Sequence, residues 1–305
     1  MSAAPRVGRI AVLGLGLIGA SLARALGAAG VTVTGFDASA DVRARARGLG
    51  LCDTIAESAA EAVADADIAV LAVPVGAMGR AAAAIAPGLK AGAVVTDTGS
   101  VKGAVIRDVM PALPPGVHFV PGDPIAGTEH SGPEAGFATL FAGRWCLLTP
   151  PAGTDPAAIA TVTALWEAVG ARVETMDPRR HDLVLAVTSH LPHLIAYNIV
   201  GTAADLETVT EAEVIKFSAG GFRDFTRIAA SDPTMWRDVF LNNREAVLEI
   251  VGRFSEDLAY LSRAIRWGEG DKLFELFART RAIRRGIIDA GQDTAAPDFG
   301  RGKPG

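Results

Sequence analysis

The chain has 305 residues, half of them hydrophobic and 21% charged, and its 29 basic and 34 acidic side chains leave a net charge of −5. That length suits about two domains, the composition excludes a disordered chain, and the charge balance excludes a basic nucleic-acid surface. Cys52 and Cys146 stand far apart without metal-ligand spacing. Neither a disulfide framework nor a metal site is therefore expected, and a reducing cytoplasm is the expected compartment.

Near the start, Arg6 and Arg9 precede the uncharged run Ile10–Ala23. This run is too short to span a bilayer and carries patterned glycines, so no membrane partner is expected. Apolar runs at Arg9–Leu13, Val31–Phe36, Ile68–Val73, Ala93–Asp97, Val117–Val120 and Trp145–Leu148 predict strands. They are near-continuously apolar, as parallel strands covered on both faces are. Ile18–Ala29, Val42–Gly48, Gly76–Ile85 and Val101–Met110 predict the helices between them. Strand–helix alternation of this kind predicts an α/β fold, a Rossmann-type doubly wound sheet. A helix at Ile159–Val169 and a strand at Ala171–Met176 continue it, which places the boundary near Asp177-Pro178.

Residues 1–177 thus read as a nucleotide-binding domain and 178–305 as an all-helical one. In the second part Val247, Ile250, Val251, Phe254, Leu258, Leu261 and Ile265 stripe one long helix, Asn243–Trp267. Leu273, Leu276, Phe277, Ile283 and Ile287 repeat the spacing in the next. Stripes of three- and four-residue steps bury against partner helices, and a homodimer through the helical domain is the expected use.

Gly14-Leu15-Gly16-Leu17-Ile18-Gly19 follows the first strand and opens the first helix. Glycines there permit a tight turn and close approach of a pyrophosphate, which the unpaired N–H groups of the helix start favour. Gly14, Gly16, Leu17, Ile18 and Gly19 are the candidate cofactor residues. Asp37 ends the second strand, where a carboxylate accepts both ribose hydroxyls and repels a 2′-phosphate, so NAD is expected over NADP. Val73 and Pro74, at the end of Ile68–Val73, would pass near the cofactor. Each has a plainer use: the glycines as a packing turn, Asp37 as a helix cap, Val73-Pro74 as a simple turn.

Three further stretches carry polar groups: Asp97-Thr98-Gly99-Ser100-Val101-Lys102, Gly122-Asp123-Pro124-Ile125-Ala126-Gly127-Thr128-Glu129-His130, and Gly220-Gly221-Phe222-Arg223-Asp224-Phe225-Thr226-Arg227 with Ser231-Asp232-Pro233 and Trp236 beyond it. Ser100 alone would be a helix cap, Arg227 a surface ion-pair residue and Trp236 a core residue. His190 and His193 in Ser189-His190-Leu191-Pro192-His193 could be mere packing, and no third ligand supports a metal. Taken together, these motifs resemble the prephenate/arogenate (cyclohexadienyl) dehydrogenase family over nearly the whole chain.

The resemblance implies an NAD-dependent oxidative decarboxylation in tyrosine biosynthesis, with NAD taking hydride as the ring hydroxyl loses a proton. By resemblance Ser100 hydrogen-bonds the reacting hydroxyl and its base, and Arg227 grips a substrate carboxylate. Thr128 and Glu129 line the pocket, His193 binds near the side chain, and Asp224 and Trp236 form wall and gate. Lys102 is expected to support its loop or a helix N-terminus. The family has a catalytic histidine where this chain has Asp123. An ordinary carboxylate titrates near about 4 and an imidazole near about 6.5, so strongly reduced activity is expected, with His130 too far along to substitute. Two alternatives stay open: a related dehydrogenase acting on a different cyclohexadienyl, hydroxyacid or imine substrate, and an inactive NAD-binding homologue.

Overall fold

The computed structural model describes residues 8–205 and 220–289. Its described residues form two compact units, one ending at Leu248 and the other starting at Glu249.

The first unit is built on six parallel strands: β1 (Ile10–Leu13), β2 (Val33–Phe36), β3 (Thr54–Ile55), β4 (Ile68–Leu71), β5 (Val94–Asp97) and β6 (His118–Phe119). They lie in the order β3-β2-β1-β4-β5-β6, the doubly wound order whose reversal between β1 and β4 opens a crevice for a nucleotide. Every residue of β1 and β4 is buried, which is why both read as unbroken apolar runs. Helices α1 (Leu17–Ala28), α2 (Ala40–Gly48), α3 (Ala59–Val63), α4 (Met78–Ile85) and α5 (Lys102–Val109) connect the strands. Two apolar clusters, one on each face, sandwich the sheet. The pairing register aligns Leu13 with Phe36 and Leu71, and Leu71 with Asp97. The loops after β1, β2, β4 and β5 therefore leave the sheet at one level.

The late strands depart from the expected continuation of this sheet. Gly122–Pro124 (β7), Trp145–Leu148 (β8) and Arg172–Thr175 (β9) form a separate sheet of three, β7 antiparallel to β8 and β8 parallel to β9. The cause is a reversal of the chain between Pro124 and Trp145, which lets β8 pair with Asp123's strand instead of extending the parallel sheet. Helix α6 (Pro156–Ala168) links β8 to β9.

Beyond β9 the described residues are helical. Asp177 caps α7 (Pro178–Leu185) by accepting the N–H groups of Arg179 and Arg180. A single π-helical turn, Ala186–His190, then joins α7 to α8 (Leu191–Ala204). After residue 219 come α9 (Gly220–Thr226), a short 3-10 turn (Arg227–Ala230) and α10 (Pro233–Asn242), the last capped by Asp232. Then follow α11 (Arg244–Trp267) and α12 (Gly270–Asp289). In the second unit Leu258, Ile265, Phe277 and Ile283 of the anticipated stripes, and Phe274 beside them, are all more than half exposed. The run Pro178–Ala204 is long and apolar enough to cross a membrane by length and composition alone. Within it, His181 bonds Asp123 of β7 and Asp182 bonds the start of α5.

Candidate active site

The glycine loop fits a dinucleotide. Gly14 has φ +97°, and a side chain there would strike the carbonyl of Ala72 at 2.4 Å; at Gly19 it would strike the carbonyl of Gly14 at 1.9 Å. At Gly16 nothing lies within 4 Å of a Cβ position, so the loop is packed on its inner side and open on its outer. No side chain caps α1, so the amides of Leu17 and Ile18 face that opening with the positive end of the helix behind them. Asp37 leaves the end of β2, one oxygen accepting the N–H of Leu15 at 2.9 Å and the other that of Ser39 at 2.9 Å. Each oxygen keeps a lone pair for a ribose hydroxyl. Val73 flanks Gly14, its Cγ1 being 2.9 Å from that Cβ position, and Pro74 is exposed beside it.

At the end of β5 an ion pair holds the second sheet in place. Lys102 and Asp97 are both fully buried, with Nζ 2.5 Å from Asp97 Oδ2 and 2.6 Å from the carbonyl of Gly122. Asp97 also accepts the N–H groups of Gly99 at 2.8 Å and Gly122 at 3.2 Å. Gly122 is thus pinned through both its carbonyl and its N–H, and Asp123 follows directly. The expectation that Lys102 supports its loop fits this arrangement.

Asp123 is buried, and its Oδ2 lies 3.1 Å from Nε2 of His181, a ring with no exposed surface. The other ring nitrogen, Nδ1, lies 3.0 Å from Asp182 Oδ1. Asp182 in turn accepts the N–H groups of Lys102 at 2.7 Å and Gly103 at 2.9 Å, capping α5 from eighty residues away. Burial pushes the Asp182 carboxyl up, but His181 and the two amides outweigh it and hold the group below the usual carboxylate range. Burial likewise pulls the His181 imidazole down, yet its bonds to Asp123 and Asp182 prevail and leave it raised. Because Asp182 does the capping, Ser100 is not a cap: α5 starts from Val101 with no side-chain bond. Among the described residues the Ser100 hydroxyl has no protein partner and is free for a ligand.

A second polar cluster joins the helices to the loop after β7. Arg227 pairs with Glu129, and the two line a cavity of about 340 Å³ together with Phe222, Arg223, Thr226 and Ala230. Burial pushes Glu129 up, but its own backbone N–H and the Arg227 guanidinium leave it below its ordinary value. Thr128 accepts the N–H of His130 at 3.3 Å, shaping the turn before Glu129. His193 stacks on Trp236 with ring centroids 3.6 Å apart, and its Nδ1 donates to the carbonyl of Ser189 at 2.8 Å. Burial, with Arg227 nearby, holds its pKa down at about 4. The ring is therefore neutral with Nε2 free as an acceptor. Trp236 is itself buried.

Asp224 stands apart, half exposed, with Arg223 3.7 Å away as its ionic neighbour. His130 is exposed and faces Glu129 at 3.9 Å. A wider groove of about 530 Å³ at the far end of α1, lined by Ala23, Arg24, Gly27, Gly50, Leu51 and Phe137, includes none of these groups.

The sequence reading missed His181, Asp182 and Asn243. Asn243 is buried and bridges the carbonyl of Asp182 at 2.8 Å and Nδ1 of His190 at 3.1 Å. A signal was available: the chain has five histidines, and three fall between positions 181 and 193.

A doubly wound sheet with an open glycine loop, an acid at the end of β2 and a buried carboxylate–imidazole cluster beside a free serine defines a nucleotide-dependent dehydrogenase. Residues 22–175 match the model of the prephenate dehydrogenase nucleotide-binding domain and residues 177–279 that of the prephenate dehydrogenase dimerization domain. The chain belongs to the prephenate dehydrogenase family. It is 46% identical over 277 residues to a cyclohexadienyl dehydrogenase of Zymomonas mobilis, covering 90% of this chain and 94% of that one. A prephenate dehydrogenase of Bacillus subtilis is 33% identical over 281 residues, 91% of this chain and 76% of the relative. Among solved structures, the prephenate dehydrogenase of A. aeolicus in complex with hydroxyphenyl propionate and NAD+ superposes with TM-score 0.84 at 36% identity, covering 92% and 98% of the two chains.

Proposed function

We propose that this protein catalyses the NAD-dependent oxidative decarboxylation of prephenate, arogenate or both, the dehydrogenase step of tyrosine biosynthesis. The observation that carries this reading is the common level at which the glycine loop, Asp37 and the Ser100 loop leave the sheet, with Asp123 pinned beside them through Gly122. Bound there, NAD supplies the acceptor for a hydride from the ring carbon that bears the hydroxyl. The chain's own residues do the rest. Ser100 donates to or accepts from that hydroxyl, and Asp123 takes its proton. Arg227, shared with Glu129, holds a carboxylate in the two-pronged way a guanidinium allows. His193 offers Nε2 to the side chain against the wall made by Trp236, and Thr128 shapes the rim. Asp224 joins this set only as an outer wall.

A carboxylate acting alone is a weaker base than an imidazole, and a weakened general base lowers rate by roughly 10²–10⁴. Turnover at neutral pH is accordingly below that of an Asp123→His variant. We further assign residues 1–177 to nucleotide binding and 178–305 to substrate binding and to pairing with a second copy in the cytoplasm. Leu183, Val187, Ile199 and Val200 of the first unit are exposed apolar residues in the region matched by the dimerization model. NADH formation at 340 nm with each substrate tests the activity; no turnover on either, in this protein or in Asp123→His, refutes it. Light scattering at the mass of one chain refutes the dimer.

A further inference from the structure

We infer that Asp123 and His181 work as one acid–base unit, Asp123 meeting the substrate hydroxyl and His181, a positioning residue behind it, storing the proton. The inference rests on the proposed reaction for its kinetic consequences but on geometry for its substance. Asp182 already accepts two backbone N–H groups at the start of α5, so it is ionised and acts as an acceptor only. Nδ1 of His181 must therefore carry a hydrogen. That fixes the tautomer and leaves Nε2 facing Asp123 Oδ2 at 3.1 Å with room for one shared proton.

With that proton present, imidazolium and carboxylate form a buried pair. Without it, a nitrogen lone pair faces a carboxylate lone pair at hydrogen-bond distance, an unfavourable contact that the next proton relieves. The unit therefore has the basicity of an assisted imidazole rather than of a lone carboxylate, and the raised pKa of His181 agrees with this. The other charged and titratable groups around the ring are Asp182 on its own helix, Lys102 on α5, which opposes protonation, and the neutral His190 on the π-helical turn.

In the reaction, the hydroxyl O–H bond breaks and its proton passes through Asp123 to Nε2, while the C–H electron pair leaves as hydride to NAD. The ring carbon becomes a carbonyl. The bond from the ring to its carboxylate then breaks, CO₂ departs, and the released electron pair moves through the ring onto the carbonyl oxygen. That phenolate recovers the proton from the unit, which ends as it began. The free-enzyme unit is a base only above its raised pKa. Turnover is therefore expected to be low at neutral pH, where the unit holds its proton, and to rise in alkali.

Two measurements test this. In the protein without substrate, the ring signals of His181 followed by NMR titrate above about pH 6.5, the ordinary imidazole value, and in Asp123→Asn the midpoint falls below it. A midpoint that does not move between the two overturns the inference, whatever the enzyme turns over. In kinetics, the acid limb of kcat/KM lies above about pH 6.5 for the wild type. In His181→Gln it moves toward the carboxylate range near about 4, and the plateau drops by roughly 10²–10⁴. An unmoved limb overturns the inference. Failure of wild-type turnover at every pH instead removes the proposed reaction and leaves the NMR result to decide.

Discussion

Replacing Lys102 by methionine tests whether the buried ion pair holds the catalytic strand. The substitution keeps the length and apolar stem of the side chain but deletes the charge. Asp97 then keeps its bonds from the Gly99 and Gly122 amides but loses its cation, with neither side chain having any exposed surface. Breaking a buried pair from one side costs about 3–5 kcal/mol, because the remaining charge is uncompensated. Whole domains are stable by only about 5–15 kcal/mol. At about 2–4 °C per kcal/mol for a unit of this size, the melting temperature falls by about 6–20 °C. Urea unfolding followed by far-UV circular dichroism gives the free energy. The double variant Asp97→Asn with Lys102→Met, which removes both charges, recovers most of the loss. The Gly122 carbonyl also loses its donor in Lys102→Met, so kcat falls more than KM rises. A loss under about 1 kcal/mol, the scale of an exposed pair, would refute the reasoning.

Burial holds the His190 imidazole at about 4 in the folded chain, whereas the unfolded chain takes the proton near about 6.5. Its contribution is complete above the higher value and drains away as pH falls toward the lower, about 3 kcal/mol in all. Thermal melts between pH 7.5 and 4.5 should show the decline, and His190→Gln should flatten it. His181, with its raised pKa, works the other way: its contribution is present in acid and is lost as pH rises through the folded value. Asp37→Ala removes charge-assisted bonds to the ribose of about 1.5–3 kcal/mol and weakens NAD+ binding about 10–100-fold, read by fluorescence titration; equal affinity would remove Asp37 from the site. Arg227→Ala raises KM about 10–100-fold on the same scale with a smaller change in kcat, and an unchanged KM would show that the guanidinium serves Glu129 alone.

The central strands were legible because burial on both faces leaves an apolar run no other element explains, and the glycine loop because its spacing meets a strand on one side and a helix on the other. β3 and α3 were not, having two and five residues, too few to establish a period. The Asp-Pro pairs show where local reading stops. The chain has four, and at Asp155, Asp177 and Asp232 the aspartate caps a helix whose first residue is the proline. Asp123-Pro124 has the same spelling but lies in a strand. Only the long-range contacts to Lys102, Asp97 and His181 separate it from the others, and those contacts join residues that no window of sequence holds together. The plainer reading of Ser100 as a cap fails for the same reason, since the residue that caps α5 comes from another helix. The roles expected of Thr128, Glu129, His193 and Arg227 came from motifs that only the resemblance joined.

The π-helical turn at Ala186–His190 acts as a gear. In an unbroken α-helix, residues nine apart point about 180° from each other, which would aim His181 and His190 in opposite directions. One extra residue in a turn takes back about 100°, and both rings end fully enclosed around the Asp182–Asn243 bridge. Upstream the helix addresses the strand that bears Asp123; downstream it addresses Arg227 and Trp236. A one-residue deletion here, harmless in an exposed loop, would unmesh the proton-handling half of the site from the substrate-holding half while leaving every side chain of both in the sequence.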